Sequence, residues 1–488
     1  MILENQTNTK PPFYITTTLP YVNARPHLGF AMEVVRADAV ARYKRMQGFD
    51  VYFNTGTDEH GTKIYEKATE LGKTPQAYVD EMAEHFTSLK AQLNLSYDRF
   101  IRTTDADHVA AAQAFWQRCL DNGYIYKKEY TGLYCVGDEM FLKEKDLVDG
   151  KCPNHPNQHP VTLSEENYFF AFSKCADALT AYYEANPDFV IPGFRLNEMK
   201  QMIEHGLEDF SISRLKEKMP WGVPVPGDAT QVVYVWFDAL VNYITTVGWP
   251  HDMAMFQKYW EQGTPVQYCG KDNTQHQALR WQAMLYAAGL PFTNRVVVNG
   301  FINAAGGQKM SKSLGNVIDP QDIVAEYGTD TLRYFVLREL NPFEDTDVTP
   351  EKIKEAYNAH LVNGLGNLTN RIMKLAEDYL DAPVDTSSAR QLFAPYTEAF
   401  DAYNLQQAMN GVWEGIQWID AKIQREEPFK VVKQDLVRGK EMIRELVVHL
   451  AEVAYHLHPL MPETAAKIEA TIAVNKKPET PLFARKEA

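Results

Sequence analysis

The sequence predicts an α/β chain in which a parallel-sheet domain is split by an insertion and followed by an all-helical domain. Three observations predict it. A strand, loop, helix and strand follow one another near the N-terminus; strand-like apolar runs return after a Cys/His-bearing stretch; and strand signals nearly vanish after Pro350. At 488 residues the chain is too long for one ordinary core.

Phe13 to Thr18 is aromatic and β-branched and runs into Pro20, Asn23 and Pro26, which reads as a buried strand entering a loop. Apolar positions recur at helical spacing from Leu28 to Met46, Gly48 stops that helix, and Asp50 to Thr55 is a second strand. This βαβ pattern implies a parallel sheet with its ligand site at the strand C-terminal ends. The stretch 116–230 breaks the alternation and reads as the insertion. Strands are expected again over Val232 to Trp236, Val266 to Cys269 and Arg295 to Val298. Helices are expected over Ile353 to Leu380, Ala399 to Ile423 and Val431 to Leu457, with a trailing arm from Lys476. The divisions are therefore 1–115 and 231–349 for the two halves of the sheet domain, 116–230 for the insertion and 350–488 for the helices.

A net charge of −15 argues against a general polyanion binder and against DNA as a partner, while leaving room for a local RNA-binding face. No basic-then-apolar leader opens the chain, and no window offers the ~18 apolar residues of a membrane span, so a cytoplasmic location and no membrane partner are expected. Five cysteines spread along the chain disfavour a disulfide scaffold.

Two short strings carry the chemistry. Pro20 to Phe30 places a tight turn at a helix N-terminus, where unpaired amides and the helix dipole favour phosphate. His27 there is a donor, and Gly29 lets a flat base approach the backbone. Far downstream, Lys309-Met310-Ser311-Lys312-Ser313 follows Gly306-Gly307, so two ammonium groups on a flexible loop can neutralise charge on a triphosphate. Either string alone fits a surface turn or a solvated basic loop; the ordered pair suits adenylate formation from ATP.

With these strings, and with Thr55-Gly56-Thr57-Asp58-Glu59-His60-Gly61, Ser211-Ile212-Ser213-Arg214, Tyr234-Val235-Trp236-Phe237-Asp238-Ala239 and Gly270-Lys271-Asp272, the chain resembles the methionyl-tRNA synthetases of class I over residues 13–460. The resemblance implies a Rossmann-like catalytic domain split by a connective insertion, then a helical-bundle anticodon-binding domain. It implies activation of L-methionine by ATP, with Mg²⁺ on the nucleotide, and transfer to methionine tRNA, initiator and elongator. Carried over residue by residue, His27, Lys309, Lys312 and Arg214 are catalytic. His27, Gly29, Phe30, Glu33, Gly270, Asp272 and Lys312 hold ATP. Asp58 takes the methionine ammonium, and Leu19, Tyr21, Trp236, Ala239, Tyr243, Asn273 and Gln277 line the side-chain pocket. Asn367, Arg371 and Phe429 face the anticodon, within reach of Lys422, Arg425, Lys430 and Lys433.

The chain departs from the family pattern at four places. Phe30 replaces the second signature histidine, shifting phosphate neutralisation onto His27 and the two lysines. Gln277 stands where the family has histidine, with His276 one place early and Asn273 replacing an apolar residue; a step of one residue turns a helix by ~100°, which favours Gln277 as the inward group. Cys135, Asp138, Cys152 and His155 replace the usual knuckle set, with His159 as a spare donor. Those four can hold Zn²⁺ tetrahedrally, or the knuckle has lost its metal and its cysteines are small buried residues. Phe429 replaces the base-stacking Trp. A class I enzyme for leucine or valine would carry a longer insertion, and a non-catalytic tRNA-binding protein would not need the complete lysine loop. A monomer is expected, because no further tRNA-binding module follows.

Overall fold

The computed structural model describes residues 11–137, 140–142, 144, 147–153, 155–157, 159–310 and 318–486. Strand β1 (Pro12–Thr16), helix α1 (Leu28–Met46) and strand β2 (Asp50–Thr57) form the expected unit, and β3 (Arg99–Arg102) extends it. These belong to a six-stranded sheet of order β3, β2, β1, Thr264–Gly270, Arg295–Asn299, Val190–Ile191, in which every adjacent pair is parallel. From β1 the chain steps outward to β2 and β3, and from Thr264–Gly270 it steps the opposite way to Arg295–Asn299, beside the earlier edge strand Val190–Ile191. A crevice therefore opens between the C-terminal ends of β1 and Thr264–Gly270.

Two strands of this sheet, β3 and Val190–Ile191, have no counterpart in the sequence reading. They are four and two residues long, too short for alternation to register. Conversely, Val232 to Trp236 is not a strand of the parallel sheet. Asp228–Val233 pairs antiparallel with Ser213–Leu215 and Pro224–Val225 in a separate small sheet, and a helix begins at Val235. Its β-branched residues suit a half-buried pleated surface without specifying which sheet supplies it.

Within 116–230, Ile125–Cys135 and Val161–Phe170 make a long antiparallel ladder from Ile125↔Phe170 to Tyr134↔Val161, which carries Cys135 at its far end.

The helical part contains Asn367–Tyr379, Leu405–Glu426, Leu436–Leu457 and Pro462–Val474. Its apolar faces join those of β1 and α1 in one continuous core running from Phe13 and Val34 through Leu332 to Trp413 and Leu450. Polar groups tie the two parts as well: Arg333 donates to the carbonyls of Leu460 at 2.8 Å and Pro459 at 3.1 Å, and Asp330 accepts the Thr464 amide at 2.6 Å. Within the sheet domain, α1 is bound to the second half. Arg36 donates to Asn299 Oδ1 and to the carbonyls of Val336, Leu340, Asn341 and Pro342. The expected trailing arm is instead docked: Phe483 is buried against Tyr357, whose hydroxyl donates to the Ala484 carbonyl at 2.7 Å. Among the described residues no helix is long and apolar enough to cross a membrane.

Candidate active site

A cavity of about 580 Å³ occupies the crevice. Its floor is built by the loop after β1. Asp58, at the end of β2, forms a parallel bridge with Tyr21, receives Val22 N–H on its carbonyl at 3.1 Å and donates its amide to Pro20 at 3.0 Å. This stitching puts Leu19, Tyr21 and the buried Asp58 along one wall. Next to them, Thr18 donates its amide (2.8 Å) and its hydroxyl (2.6 Å) to the same oxygen of Glu33 on α1. Burial pushes the Glu33 carboxyl up to about 8 against those bonds, and Asp272 across the cavity adds to the rise.

His27 caps α1. Its Nδ1 accepts from the amides of Gly29 at 3.1 Å and Phe30 at 3.4 Å. Backbone amides only donate, so Nδ1 carries the lone pair and the neutral ring's hydrogen sits on Nε2. Phe30 lines the cavity but packs edge-to-face on Phe86, with centroids 5.4 Å apart.

The opposite wall comes from Val235–Leu240 and the turn after Gly270. Trp236 and Ala239 line the cavity, and Tyr243 follows one turn later. The Trp236 ring lies flat on His276, with centroids 3.7 Å apart and planes within 6°. Desolvation, with Arg280 adding to it, pushes the His276 imidazole well below its ordinary value, so it stacks as a neutral ring. Gln277 Nε2 donates to the Tyr243 hydroxyl at 2.6 Å. Both residues reach the cavity because His276–Arg280 is a wide π turn rather than the regular helix behind the 100° argument. Gly270, Asp272 and Asn273 close this side.

Every residue the sequence reading gave to ATP or methionine is thus at the cavity, apart from Lys312, which lies outside the described residues. Lys309 is in the strand Gln308–Lys309, paired with Ile302–Ala304, whose Ile302 is at the cavity rim. Gly306 and Gly307 make the turn between them with φ of 74° and 73°, a conformation that favours glycine. Arg214 stands behind the wall. Its guanidinium donates to Ser211 Oγ (2.9 Å) and the Ser213 carbonyl (2.7 Å) and lies 4.4 Å over the ring of Tyr234, which lines the cavity. Sequence reasoning missed Lys63, Asn299 and Phe301 as lining residues. None belongs to a string distinctive enough to single it out.

It also missed a buried network. Asp238 accepts from His60 Nδ1 at 2.7 Å and His108 Nε2 at 2.9 Å. Burial alone would raise the Asp238 carboxyl, but the two imidazoles more than offset that and hold it down at about 2.

The knuckle overhangs the cavity, because Gly137 and His155 line it too. The donor atoms of Cys135, Cys152 and His155 lie within 4.8 Å of one another, with His155 Nδ1 at 3.7 and 3.9 Å from the two sulfurs. Tetrahedral Zn²⁺ with ordinary bond lengths sets such S···N pairs about 3.6 Å apart, so the three groups fit this ion. Asp138 lies outside the described residues, and His159 is exposed.

Residues 13–373 match the family of class I tRNA synthetases (M). The chain belongs to this family. Among curated relatives, the methionine--tRNA ligase of Thermotoga maritima is 38% identical over 484 residues, covering 96% of this chain and 76% of that protein. The methionine--tRNA ligase of Thermosynechococcus vestitus is 40% identical over 479 residues, covering 94% and 89%. The Mycobacterium tuberculosis methionyl-tRNA synthetase, solved in complex with methionyl-adenylate, superposes with a TM-score of 0.89 at 35% identity over 97% of this chain and all of that one.

In this class I synthetase, Asn367 is exposed at the start of Asn367–Tyr379, and Arg371, one turn on, forms an ion pair with Asp420. Phe429 is 38% exposed at the start of a short helix. The cations expected around it are largely compensated: Lys422 pairs with Glu426 and Glu445, Arg425 with Glu426, and Lys430 with Glu427.

Proposed function

We propose that the chain is a methionine--tRNA ligase. The methionine carboxylate attacks the α-phosphorus of ATP; the Pα–O bond to pyrophosphate breaks, and methionyl-adenylate forms. A terminal ribose hydroxyl of methionine tRNA then attacks the activated carbonyl, and AMP leaves. The observation that carries this reading is the convergence, on one cavity at the strand-order reversal, of a buried carboxylate (Asp58), an aromatic pocket (Tyr21, Trp236, Tyr243) and a capped helix N-terminus (His27, Gly29).

Asp58 takes the ammonium as a charge-assisted bond. Leu19, Ala239, Asn273 and Gln277 complete the thioether pocket, where aromatic contact favours sulfur. Glu33, Gly270 and Asp272 hold the nucleoside, with Phe30 at its edge. His27 Nε2–H, Lys309 and Lys312 meet the phosphates, whose charge Mg²⁺ shares, and catalysis is positioning plus charge neutralisation. Arg214 orders Tyr234 behind the wall. Zn²⁺, held by Cys135, Cys152 and His155 with Asp138 as fourth donor, would fix the knuckle over the cavity. Asn367, Arg371 and Phe429 read the anticodon of initiator and elongator tRNA alike.

The division at residues 115, 230 and 349 is part of this proposal, as is a monomer, since one chain builds the whole cavity. Five buried cysteines outside any disulfide suit a cytoplasmic enzyme. Methionine-dependent pyrophosphate exchange tests the reading, with leucine and valine as controls. Exchange is expected with methionine alone and is expected to fall further in Lys312→Ala than in Phe30→Ala. Exchange that ignores methionine, or survives Lys312→Ala intact, overturns it.

A further inference from the structure

Asp238 faces away from the cavity, yet it joins the two walls that enclose the amino-acid end. Its carboxylate is fully buried and accepts from His60 Nδ1 on the β2 loop and from His108 Nε2 on the helix Ala106–Asp121. His60 is two residues after Asp58. Asp238 itself is two residues after Trp236 and one before Ala239.

The β2 loop is fixed from its other side too. Glu59 is buried and receives the hydroxyls of Thr57 and Thr104 and the Arg102 guanidinium. Trp221 donates to the Glu59 carbonyl at 2.6 Å and packs 5.5 Å from the His60 ring. The His60 bond to Asp238 is therefore a direct polar link between the braced Asp58 loop and the short helix carrying Trp236 and Ala239, and His108 holds the same carboxylate from the helix Ala106–Asp121.

We propose that Asp238, through His60 and His108, is a positioning residue that sets the spacing between the ammonium carboxylate and the side-chain pocket, and so the affinity for methionine rather than for ATP. This rests on the assignment of Asp58 and Trp236 to the amino acid made above. An ionised carboxylate is acceptor-only, so each ring nitrogen facing it must carry hydrogen. That requirement can be tested atom by atom, because Asn places an amide N–H near histidine Nδ1 and Gln places one near Nε2.

The experiment is pyrophosphate exchange, with KM measured separately for methionine and ATP, in His60→Asn, His60→Gln, His108→Gln, His108→Asn, Asp238→Ala and Asp58→Ala, with thermal unfolding of each. His60→Asn and His108→Gln keep the donor and are expected within about threefold of the parent methionine KM. His60→Gln, His108→Asn and Asp238→Ala lose it and are expected to raise methionine KM about ten- to hundredfold, with ATP KM within about threefold, as misplacement of a substrate-binding group by ~1 Å does. If Asp238→Ala fails to fold, the paired histidine variants still decide the matter.

Equal methionine KM in the donor-keeping and donor-losing variants overturns the proposal, as does a parallel rise in ATP KM. Asp58→Ala separates the two layers. If it raises methionine KM while the histidine series shows no donor pattern, only the positioning role fails; if it leaves methionine KM unchanged, the assignment of Asp58 fails and this proposal with it.

Discussion

The imidazole of His27 fills the space that a side chain on Gly29 would need: a Cβ there would lie 3.0 Å from both Nδ1 and Cε1 of the ring. The glycine thus lets the histidine fold back over the helix N-terminus, where its Nδ1 accepts two amides. Gly29→Ala is expected to dislodge the ring. Pyrophosphate exchange should fall on the order of ten- to hundredfold through kcat and ATP KM, with methionine KM nearly unchanged. Steady-state kinetics at varied ATP and methionine read this directly.

Asp38 and Arg333 form an ion pair at 2.8 Å with both side chains wholly buried, joining α1 to the segment that leads into the helical domain. Arg42 and Ser96 also bond the carboxylate, and these partners hold Asp38 below the ordinary carboxylate range despite its burial. Removing one partner leaves an uncompensated buried charge. Asp38→Ala should cost about 3–5 kcal/mol, measured by urea unfolding, and Arg333→Met a similar amount. The double variant Asp38→Leu/Arg333→Met should recover part of the loss, because apolar replacement of both partners removes the desolvation penalty.

Residues whose chemistry sits in contiguous strings were legible in the sequence. His27 and Gly29, Asp58, Trp236 and Ala239, and Gly270 and Asp272 all appear in such strings, and all reach the cavity. Partnerships across the fold were not legible: His60, His108 and Asp238 meet from three elements far apart in sequence, and no local pattern announces that. The choice between His276 and Gln277 also exceeded local reasoning, because it depended on a π turn that lets neighbours share one face. The helices after Pro350 were readable from their periodicity. The docking of Phe483 depends on a slot at Tyr357 that only the folded domain creates.

Glu33 gives a pH signature. Its carboxyl is raised from 4.5 to about 8, so below pH about 4.5 it is protonated in both folded and unfolded chains. Above that the unfolded chain ionises first, and the stability tied to the neutral buried acid is lost as pH rises toward 8. Glu33→Gln cannot ionise. Between pH 5 and 8 the parent should therefore lose stability relative to this variant, by up to about 4 kcal/mol at ~1.4 kcal/mol per pH unit. Parallel urea titrations across that range check it, and a constant difference would show that Glu33 is ionised in the fold throughout.

Gly137 offers a metal test that leaves every proposed ligand in place. A Cβ there would sit 2.5 Å from the His155 ring. Gly137→Ala should push the imidazole off the cysteines and release Zn²⁺, as Cys152→Ala should by deleting a thiolate. Elemental analysis is expected to find about one zinc per parent chain and under a tenth of that in either variant. Cobalt substitution should give thiolate charge-transfer absorption in the parent alone.

Phe429 and Arg371 should separate tRNA recognition from adenylate chemistry. Phe429 exposes an aromatic face, and Arg371 forms an ion pair with Asp420. Stacking on one base is worth about 1–3 kcal/mol, so Phe429→Ala should raise the KM for tRNA roughly five- to hundredfold. Phe429→Trp enlarges the stacking face and should lower it. Arg371→Lys keeps the charge but loses the fork, and is expected to behave like Arg371→Ala rather than like the parent. Pyrophosphate exchange, which needs no tRNA, should stay at the parent rate in all four variants. A matching fall in exchange would mean that these substitutions act through the core shared with the catalytic domain, and would remove the anticodon assignment.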